Sequence, residues 1–293
     1  MVIFDCSANT TITPEEAHET MDETPVDVAK QSVPDEEPGD EIVQGLDVLA
    51  EVKLPSTIRK SSQIHTQIHL NNCTERKWTI PLAAQLLMQP QFPILVRRFL
   101  YDQLYPDSAI TSRLVFQESL PMIDGRIEVF NSAVATFRAP SDISGVTGMR
   151  REHIQAMPSW RNGPARYDTV LINSNPDVEG ISGFEIARVL LFFAFWHQER
   201  YYPSALVHWF SFVGVEPDED TGFSVVEPDF TDVGSPHLAI VHIDSIYRAV
   251  HLLPAHQDAQ FISRAFTMHS TLDKFKSFYV NKYVDHHAFD SLR

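Results

Sequence analysis

Four apolar runs rich in β-branched and aromatic residues dominate the second half of the chain. They are Tyr167–Asn173, Phe184–Trp196, Ser204–Val213 and Leu238–Ile243, and connections rich in Gly, Pro, Asn and Asp separate them. Short runs of this composition between turn-forming residues are typical of β-strands. The pattern therefore predicts a small, strongly curved antiparallel sheet or partly closed barrel over residues 165–254.

Helical spacing is found upstream of these runs and again at the C-terminus. Thr79–Met88 and Pro93–Tyr105 are predicted to be two short helices, since a Thr that can cap and a Pro in the opening turn favour a helix start at Thr79. Arg97 and Arg98 of the second helix are expected to point into solvent. Leu272–Leu292 repeats apolar residues at intervals of three and four, which predicts one helix that packs over the sheet or caps an open barrel end.

The segments between these elements carry weaker signals. Residues 54–78 fit either a strand or a weak helix, and residues 127–138 alternate well enough to suggest one or two strands. Gly145 and Gly148 precede the string MRREHI (149–154), which we interpret as a loop that opens a short helix. A glycine turn before a helix can hold an anion, although the spacing fits neither a P-loop nor a dinucleotide fingerprint.

The strong negative charge of the chain belongs to one segment. The formal net charge is −16 over 293 residues, yet residues 1–51 hold 14 acidic residues against one basic residue, which leaves −3 for the remainder. Residues 1–53 also lack periodic hydrophobicity, so we predict a disordered acidic tail, either a solvated linker or a segment that binds a basic partner. The expected organisation is this tail, a helical segment over 54–126, and an α+β barrel domain with a C-terminal capping helix over 127–293.

The cysteine content and the hydropathy of the chain indicate in which cellular compartment the protein is expected. Cys6 and Cys73 are the only cysteines, so there is no disulfide framework. The N-terminus does not have the pattern of a secretory signal, and the longest apolar run, Val189–Trp196, is too short to span a bilayer. We therefore expect a soluble intracellular protein that does not bind a membrane.

One stretch of the chain, residues 138–166, is dense in arginine. Candidate contacts to a phosphate or to nucleic acid are Arg150, Arg151, Arg161 and Arg166, with Trp160 and His153 interleaved among them. The alternative interpretation is a turn with ordinary surface arginines.

A group of aromatic residues spans the end of one predicted strand and the next strand. Trp196, Tyr202 and Trp209 are candidates for a cage that holds a methylated ammonium by cation–π attraction, or for a peptide groove. Packing in the core of a hairpin would also explain these rings.

The 13 histidines raise the question of a metal. His208, His242, Asp244 and His286 could form an open zinc or manganese site, which would suit a metal-dependent hydrolase. No H-E-x-x-H motif and no G-x-S-x-G elbow supports an enzyme, so the favoured interpretation includes no cofactor and no catalytic residue.

Six strings carry a resemblance to a known family. In chain order they are RRFLYDQLYPDS (97–108), ATFRAPSDISGVTGMRRE (135–152), RYDTVLI (166–172), YPSALVHWF (202–210), IVHIDSIYRAVHLLP (240–254) and FYVNKYVDHHAFD (278–290). Over about residues 93–292 the chain resembles the C-terminal region of proteins encoded by fungal Plavaka-type transposons, a branch of the DDE transposases. The RNase H-like catalytic core of that family lies upstream of this region, so the resemblance implies an accessory module, a truncated copy or a stand-alone derivative rather than an active transposase.

A second resemblance covers roughly residues 165–254. The strings YDTVLI, FEIARVLLFFAF, YPSALVHWF and IVHIDSIYRAVHLLP are similar in order to the strands of a bromo-adjacent homology (BAH) domain, with Ile186–Val189 and Val207–Phe210 at the motif positions. BAH domains are small β-barrels that take part in chromatin interactions, and some bind methyl-lysine in an aromatic cage. Together the two resemblances imply a non-enzymatic module that binds chromatin, DNA or a protein partner, and a nuclear location.

Overall fold

The computed structural model describes residues 66–123, 125–139, 148–214, 216–255 and 268–293, without the side chains of residues 72–76. All of them belong to one compact unit, Ile58–Arg293. The predicted tail, residues 1–53, and Gly145 lie outside the described residues.

Strands provide most of the regular secondary structure among the described residues. They are β1 Gln67–Thr79, β2 Arg126–Arg138, β3 Met149–Met157, β4 Arg166–Tyr167, β5 Thr169–Asn173, β6 Phe184–His197, β7 Arg200–Phe212, β8 Val225–Pro228, β9 Leu238–His242, β10 Ile246–Ala249, β11 Leu252–Pro254 and β12 Phe278–Val280. The α-helices are α1 Ile80–Leu86, α2 Phe92–Leu104, α3 Thr271–Lys274 and α4 His286–Leu292. The sequence prediction of an α+β fold with an antiparallel sheet is therefore confirmed.

The pairing of the strands branches at β2, β6 and β7, each of which has three partner strands. The main path runs β11-β12-β8-β7-β6-β2-β3-β4, while β1 pairs with β2, β9 with β7, and β5 with both β6 and β10. Every pair between these strands is antiparallel. Within the described residues the path has two ends, β11 and β4, so the sheet is open and the predicted small barrel is not supported.

Apolar side chains form three clusters on the faces of this sheet. The first covers the inner face of β1, β2, β3, β6 and β7 and includes Phe137 and Phe192. The second lies on the opposite face, where α1 and α2 pack and the ring of Phe92 meets that of Phe193 edge to face at 5.4 Å. The third lies at the β8, β11 and β12 end, where Phe278 and Leu292 are buried. Each face of the long strands is therefore covered over part of its length, which is why β6 reads as an almost continuous apolar run.

The predicted strands and the two upstream helices are confirmed, with shifts of a few residues at their ends. Thr79 caps α1, because its side-chain oxygen accepts a hydrogen bond from the backbone N–H of Leu82. Arg97 is not a solvent-facing side chain as predicted, since it donates hydrogen bonds to the backbone carbonyls of Leu120 and Pro121 at 2.7 and 3.1 Å. It thereby fastens the segment that follows α2.

Two predicted helices are wrong. The string MRREHI belongs to strand β3, which pairs with β2 over residues 149–155. The predicted single helix Leu272–Leu292 is divided into α3, strand β12 and α4. Phe278 and Val280 of β12 are fully buried and pair with β8 and β11, so sheet hydrogen bonds and burial outweigh the helical spacing in this segment.

Candidate nucleic-acid interface

Strand β3 sends neighbouring arginines to opposite faces of the sheet. Met149, Arg151 and His153 are exposed, whereas Arg150 and Glu152 are half-buried, as expected for the two-residue period of a strand. The predicted pair Arg150 and Arg151 is therefore divided: Arg150 faces the inner side, where it lies 3.5 Å from Asp285, and Arg151 faces outward.

The outer face of β1, β2 and β3 carries exposed polar and basic side chains, although Ser132, Val134 and Gln155 within it are buried. Residues directly opposite one another in antiparallel strands share a face. Their register gives the outer rows Gln67–Thr136–Arg151, His69–Val134–His153, Asn71–Ser132–Gln155 and Arg138–Met149. We call these positions the β1–β3 outer face.

The charge on this outer face has one sign. None of its eleven positions is acidic, and four of them are Arg or His: His69, Arg138, Arg151 and His153 are all exposed. Within the described part of the chain, neither Arg138 nor Arg151 has a carboxylate within ion-pair distance. These two guanidinium groups are therefore the candidate anion contacts of this face.

Two more of the predicted arginines flank a tryptophan after β3. The guanidinium groups of Arg161 and Arg166 lie 5.4 and 4.8 Å from the ring centre of Trp160. Arg166 also donates two hydrogen bonds to Asp168, at 2.8 and 3.1 Å, so its charge is already compensated. Arg161 adopts a positive φ of 49° in this turn, and its side chain is exposed. Compared with Arg166, it is therefore the more accessible cation.

Arg150 borders a buried polar network on the inner face. The side chain of Arg248 is 3% exposed and donates to both carboxylate oxygens of Asp285, at 2.9 and 2.7 Å, while Glu152 lies 3.3 Å away. The guanidinium of Arg248 lies 4.8 Å from the ring centre of Phe137, and His287 stacks on the same ring at 4.4 Å. These contacts attach α4 to the inner face of β2, β3 and β10.

Hydrogen-bond chemistry fixes the tautomer of His287. Nη1 of Arg248 can only donate, so Nδ1 of His287, 3.0 Å away, accepts and carries no proton. Nε2 of His287 then holds the proton and donates to the hydroxyl of Tyr247 at 3.2 Å. Burial, and after it the charge of Arg248, lowers the pKa of His287 to about 4. The ring is therefore neutral in the folded protein near pH 7.

The pKa values of the two carboxyl groups in the network are shifted in opposite directions. Burial favours a higher pKa for Asp285, but hydrogen bonds from Arg248 and from the backbone N–H of Ala288 outweigh it and lower that pKa to about 2. Burial raises the pKa of Glu152, and the charge of Arg248 only partly offsets this effect. The positive charge of Arg248 is thus compensated mainly by the carboxylate of Asp285.

The three aromatic residues proposed as a cage do not converge. Trp196 is 59% exposed and lies against Tyr201 at the end of the β6–β7 hairpin, whereas Tyr202 is 3% exposed and packs on Phe195 under the helices. Trp209 lies about seven residues further along β7, roughly 23 Å from Tyr202 at the rise of a strand, and packs against the inner cluster. Hairpin and core packing therefore account for Tyr202 and Trp209.

The four residues proposed as metal ligands are also spread out. His242 and Asp244 are 3.5 Å apart, but Nε2 of His208 is hydrogen-bonded to the backbone carbonyl of Asp229 at 2.8 Å, and His286 begins α4. Among the described residues, no group of three or more His, Cys, Asp or Glu side chains is arranged to hold a metal ion.

The sequence places Arg138, Arg151 and His153 in one arginine-dense stretch, but it does not predict that they share a face with His69. The available signal was the alternation in residues 149–154, where Arg150, Glu152 and Ile154 share one parity and Met149, Arg151 and His153 the other. Because MRREHI follows Gly145 and Gly148, the sequence predicts a loop that opens a short helix there. The pairing with β1, which aligns His69 with His153, depends on long-range register that the sequence does not display.

Comparison with known proteins gave no match to a family model, to a curated protein or to a solved structure. None of the described helices combines the length and the apolar character needed to cross a membrane.

Proposed function

We propose that this protein is a non-enzymatic interaction module that binds the phosphate backbone of DNA, as found in chromatin. The observation that carries the proposal is the β1–β3 outer face, where Arg138 and Arg151 are exposed beside two histidines and no acidic residue shares the face. Phosphate contacts of this kind need cations that are free of internal partners, and they position a protein without reading the base sequence.

The shape of the surface supports the same ligand. The outer rows lie on three paired strands, so their side chains stand in register about 5 Å apart across the sheet. The Trp160 turn at the end of β3 adds Arg161 and an aromatic ring, a combination that also suits contacts with sugar and phosphate. Exposed cations spread over paired strands and extended by an aromatic turn fit a polymer of phosphates better than a single small anion.

The resemblances add the biological setting of the proposal. We propose a transposon-derived accessory module, related to the C-terminal region of Plavaka-type proteins, that acts in the nucleus. The likeness to BAH domains is proposed at the level of the order of the strands β5, β6, β7 and β9, since the sheet is open rather than a barrel. Support for both proposals comes from the sequence strings alone.

The test is binding of a fluorescently labelled DNA duplex, followed by anisotropy over a series of salt concentrations. The double variant Arg138→Gln/Arg151→Gln should bind more weakly, and the slope of log K against log salt should become shallower by about 1.8, since each lost phosphate contact accounts for about 0.9. The matched control is Lys274→Gln/Lys276→Gln, which removes the same charge from exposed residues elsewhere.

The control separates a local contact from the effect of net charge. If both double variants weaken binding equally, the outer face is not the interface. Absence of salt-dependent binding by the wild type at low salt would remove DNA as the ligand altogether.

A further inference from the structure

A cleft elsewhere on the molecule holds an arginine that is only partly paired. Its volume is about 390 Å³, within the range of small-ligand sites, and Arg188 of β6 and Asp273 of α3 lie in its wall. The apolar part of its lining comes from Pro164, Tyr167 and Leu190. The cleft is separate from the β1–β3 outer face, and only its wall residue Pro164 belongs to the Trp160 turn, where Pro164 accepts a hydrogen bond from the backbone N–H of Trp160.

Arg188 has donor capacity to spare. Its side chain is 14% exposed, and Nη1 donates to Asp273 Oδ1 at 2.5 Å. Its Nε atom is buried and has no hydrogen-bond partner among the described residues. A guanidinium presents five N–H donors in a planar fork, so this pairing with one oxygen leaves the fork largely unfilled.

Asp273 is an exchangeable partner for this arginine. Its side chain is 58% exposed, and it lies on a helix of only four residues. An exposed carboxylate gives up little when it returns to water, because water solvates it well. Another carboxylate could therefore replace it at Arg188 and, if it bound both edges of the fork, would satisfy the arginine better.

The walls of the cleft indicate the rest of the ligand. The guanidinium lies 5.5 Å from the ring centre of Tyr167, and Leu190 and Pro164 extend the apolar lining beside it. A ligand with a carboxylate and an adjacent apolar group would pair with Arg188 and cover these side chains together. A bare inorganic anion would use only the first of the two features.

We propose that this cleft binds organic carboxylates that carry an apolar or aromatic group, through Arg188 and in competition with Asp273. The carboxylate can belong to a free organic acid or to the C-terminal residue of a peptide. Phenylacetate is a suitable probe of the first source, and an acetylated peptide that ends in Phe is a suitable probe of the second. Phenylacetamide and the peptide amide are the uncharged controls.

The experiment measures the Kd of each probe for the full chain by ligand-observed NMR titration. Asp273→Asn should tighten carboxylate binding several-fold, about threefold to tenfold, because it removes the competing charge from an exposed position. Arg188→Lys should weaken binding at least about tenfold, since an ammonium lacks the planar fork. The control variant Asp107→Asn, also exposed, should leave the Kd unchanged.

The outcomes separate the proposal from its alternatives. Equal binding of acid and amide, or of inorganic phosphate and phenylacetate, would overturn it, as would failure of any carboxylate to bind Asp273→Asn at millimolar concentration. If Arg188→Lys does not fold, as judged by circular dichroism, the exposed Asp273→Asn variant still decides the matter. A preference for the peptide over phenylacetate would identify a chain terminus as the source of the carboxylate.

Discussion

At the scale of single residues, Arg248 shows how this fold accommodates a buried charge. Its guanidinium is 3% exposed, yet it has two hydrogen bonds to Asp285, an ion-pair contact with Glu152 and an aromatic ring beneath it. A buried charge is tolerated only when such partners replace water. The arrangement indicates that Asp285 and His287 attach the C-terminal helix to the sheet.

His287 makes this attachment sensitive to pH. The unfolded chain binds a proton at this residue near the ordinary pKa of 6.5, whereas the folded protein does so only near 4. The stability that the neutral ring contributes is therefore complete above pH 6.5 and is lost as the pH falls from 6.5 through 4. Glu152, whose pKa is raised, acts in the opposite sense, because its protonation favours the folded state as the pH falls.

We predict that His287→Gln reduces the loss of stability between pH 7 and pH 4.5. Gln occupies the site without titrating, so the difference between the two proteins isolates the effect of His287 from that of the carboxylates. Urea unfolding at a series of pH values measures it. His69→Gln, at an exposed position, should reproduce the wild-type slope, and a His287→Gln slope as steep as that of the wild type would show that the ring does not control the pH dependence.

The residue scale also shows a limit of sequence reasoning. The positions of Arg151 and Arg161 at the surface were foreseen from their charge alone. The sequence did not predict that Arg150 and Arg151 lie on opposite faces, because this depends on whether residues 149–154 form a helix or a strand. Only the pairing of β3 with β2 decides that choice, and it brings together residues that are 11 to 23 positions apart in the chain.

At the scale of elements, the β6–β7 hairpin has a turn that its sequence does not favour. Gln198 and Glu199 both have positive φ, 48° and 62°, which is the geometry of a two-residue type I′ turn. Such turns prefer Asn and Gly, since a side chain with a Cβ is strained in this region. The pairing of 11 residues on each strand holds the turn in place despite this strain.

We predict that Glu199→Gly stabilises the protein by about 0.5–1 kcal/mol, because relief of strain in the turn exceeds the added entropy of the unfolded chain. Thermal unfolding followed by circular dichroism measures the effect. The matched substitution Glu227→Gly, in the extended backbone of β8, should destabilise by a similar amount. A lower melting temperature for Glu199→Gly would mean that the Glu199 side chain makes a contribution greater than the strain.

Elements with strong local signals were the ones that sequence reasoning predicted well. The four apolar runs became β5, β6, β7 and β9 because continuous β-branched and aromatic residues leave little choice of structure. The segment Leu272–Leu292 failed because Phe275, Tyr279 and Tyr283 recur at a helical interval while Phe278 and Val280 alternate. The second pattern prevails because it buries two side chains and completes the sheet between β8 and β11.

At the scale of the whole molecule, different faces of the sheet have different surroundings. Helices α1 and α2 cover one face of the long strands, and the Arg248 network closes the inner face with α4. On the β1–β3 outer face, Arg138 and Arg151 have no carboxylate within ion-pair distance among the residues that the structure describes. This division could not be read from the sequence, since the same strands contribute residues to buried and exposed faces in alternation.

The distribution of charge gives a last prediction. Residues 1–51 carry 14 acidic residues and one basic residue, while the remainder of the chain has a formal net charge of only −3. A net negative charge repels a polyanion over distances up to the Debye length, which is about 8 Å at physiological salt and about 30 Å at 0.01 M. If the β1–β3 outer face binds DNA, a protein that starts at residue 54 should bind it more tightly than the full chain, and the advantage should shrink as salt is added.

Anisotropy titrations of both proteins at 0.02 and 0.2 M salt measure this difference. A full chain with Glu→Gln substitutions within residues 1–51 is the matched control, because it changes the charge and keeps the length. If truncation and the Glu→Gln substitutions change the DNA affinity by different amounts, the effect of the segment does not arise from its charge. If neither changes the affinity, the charge of the acidic segment does not influence the DNA contact.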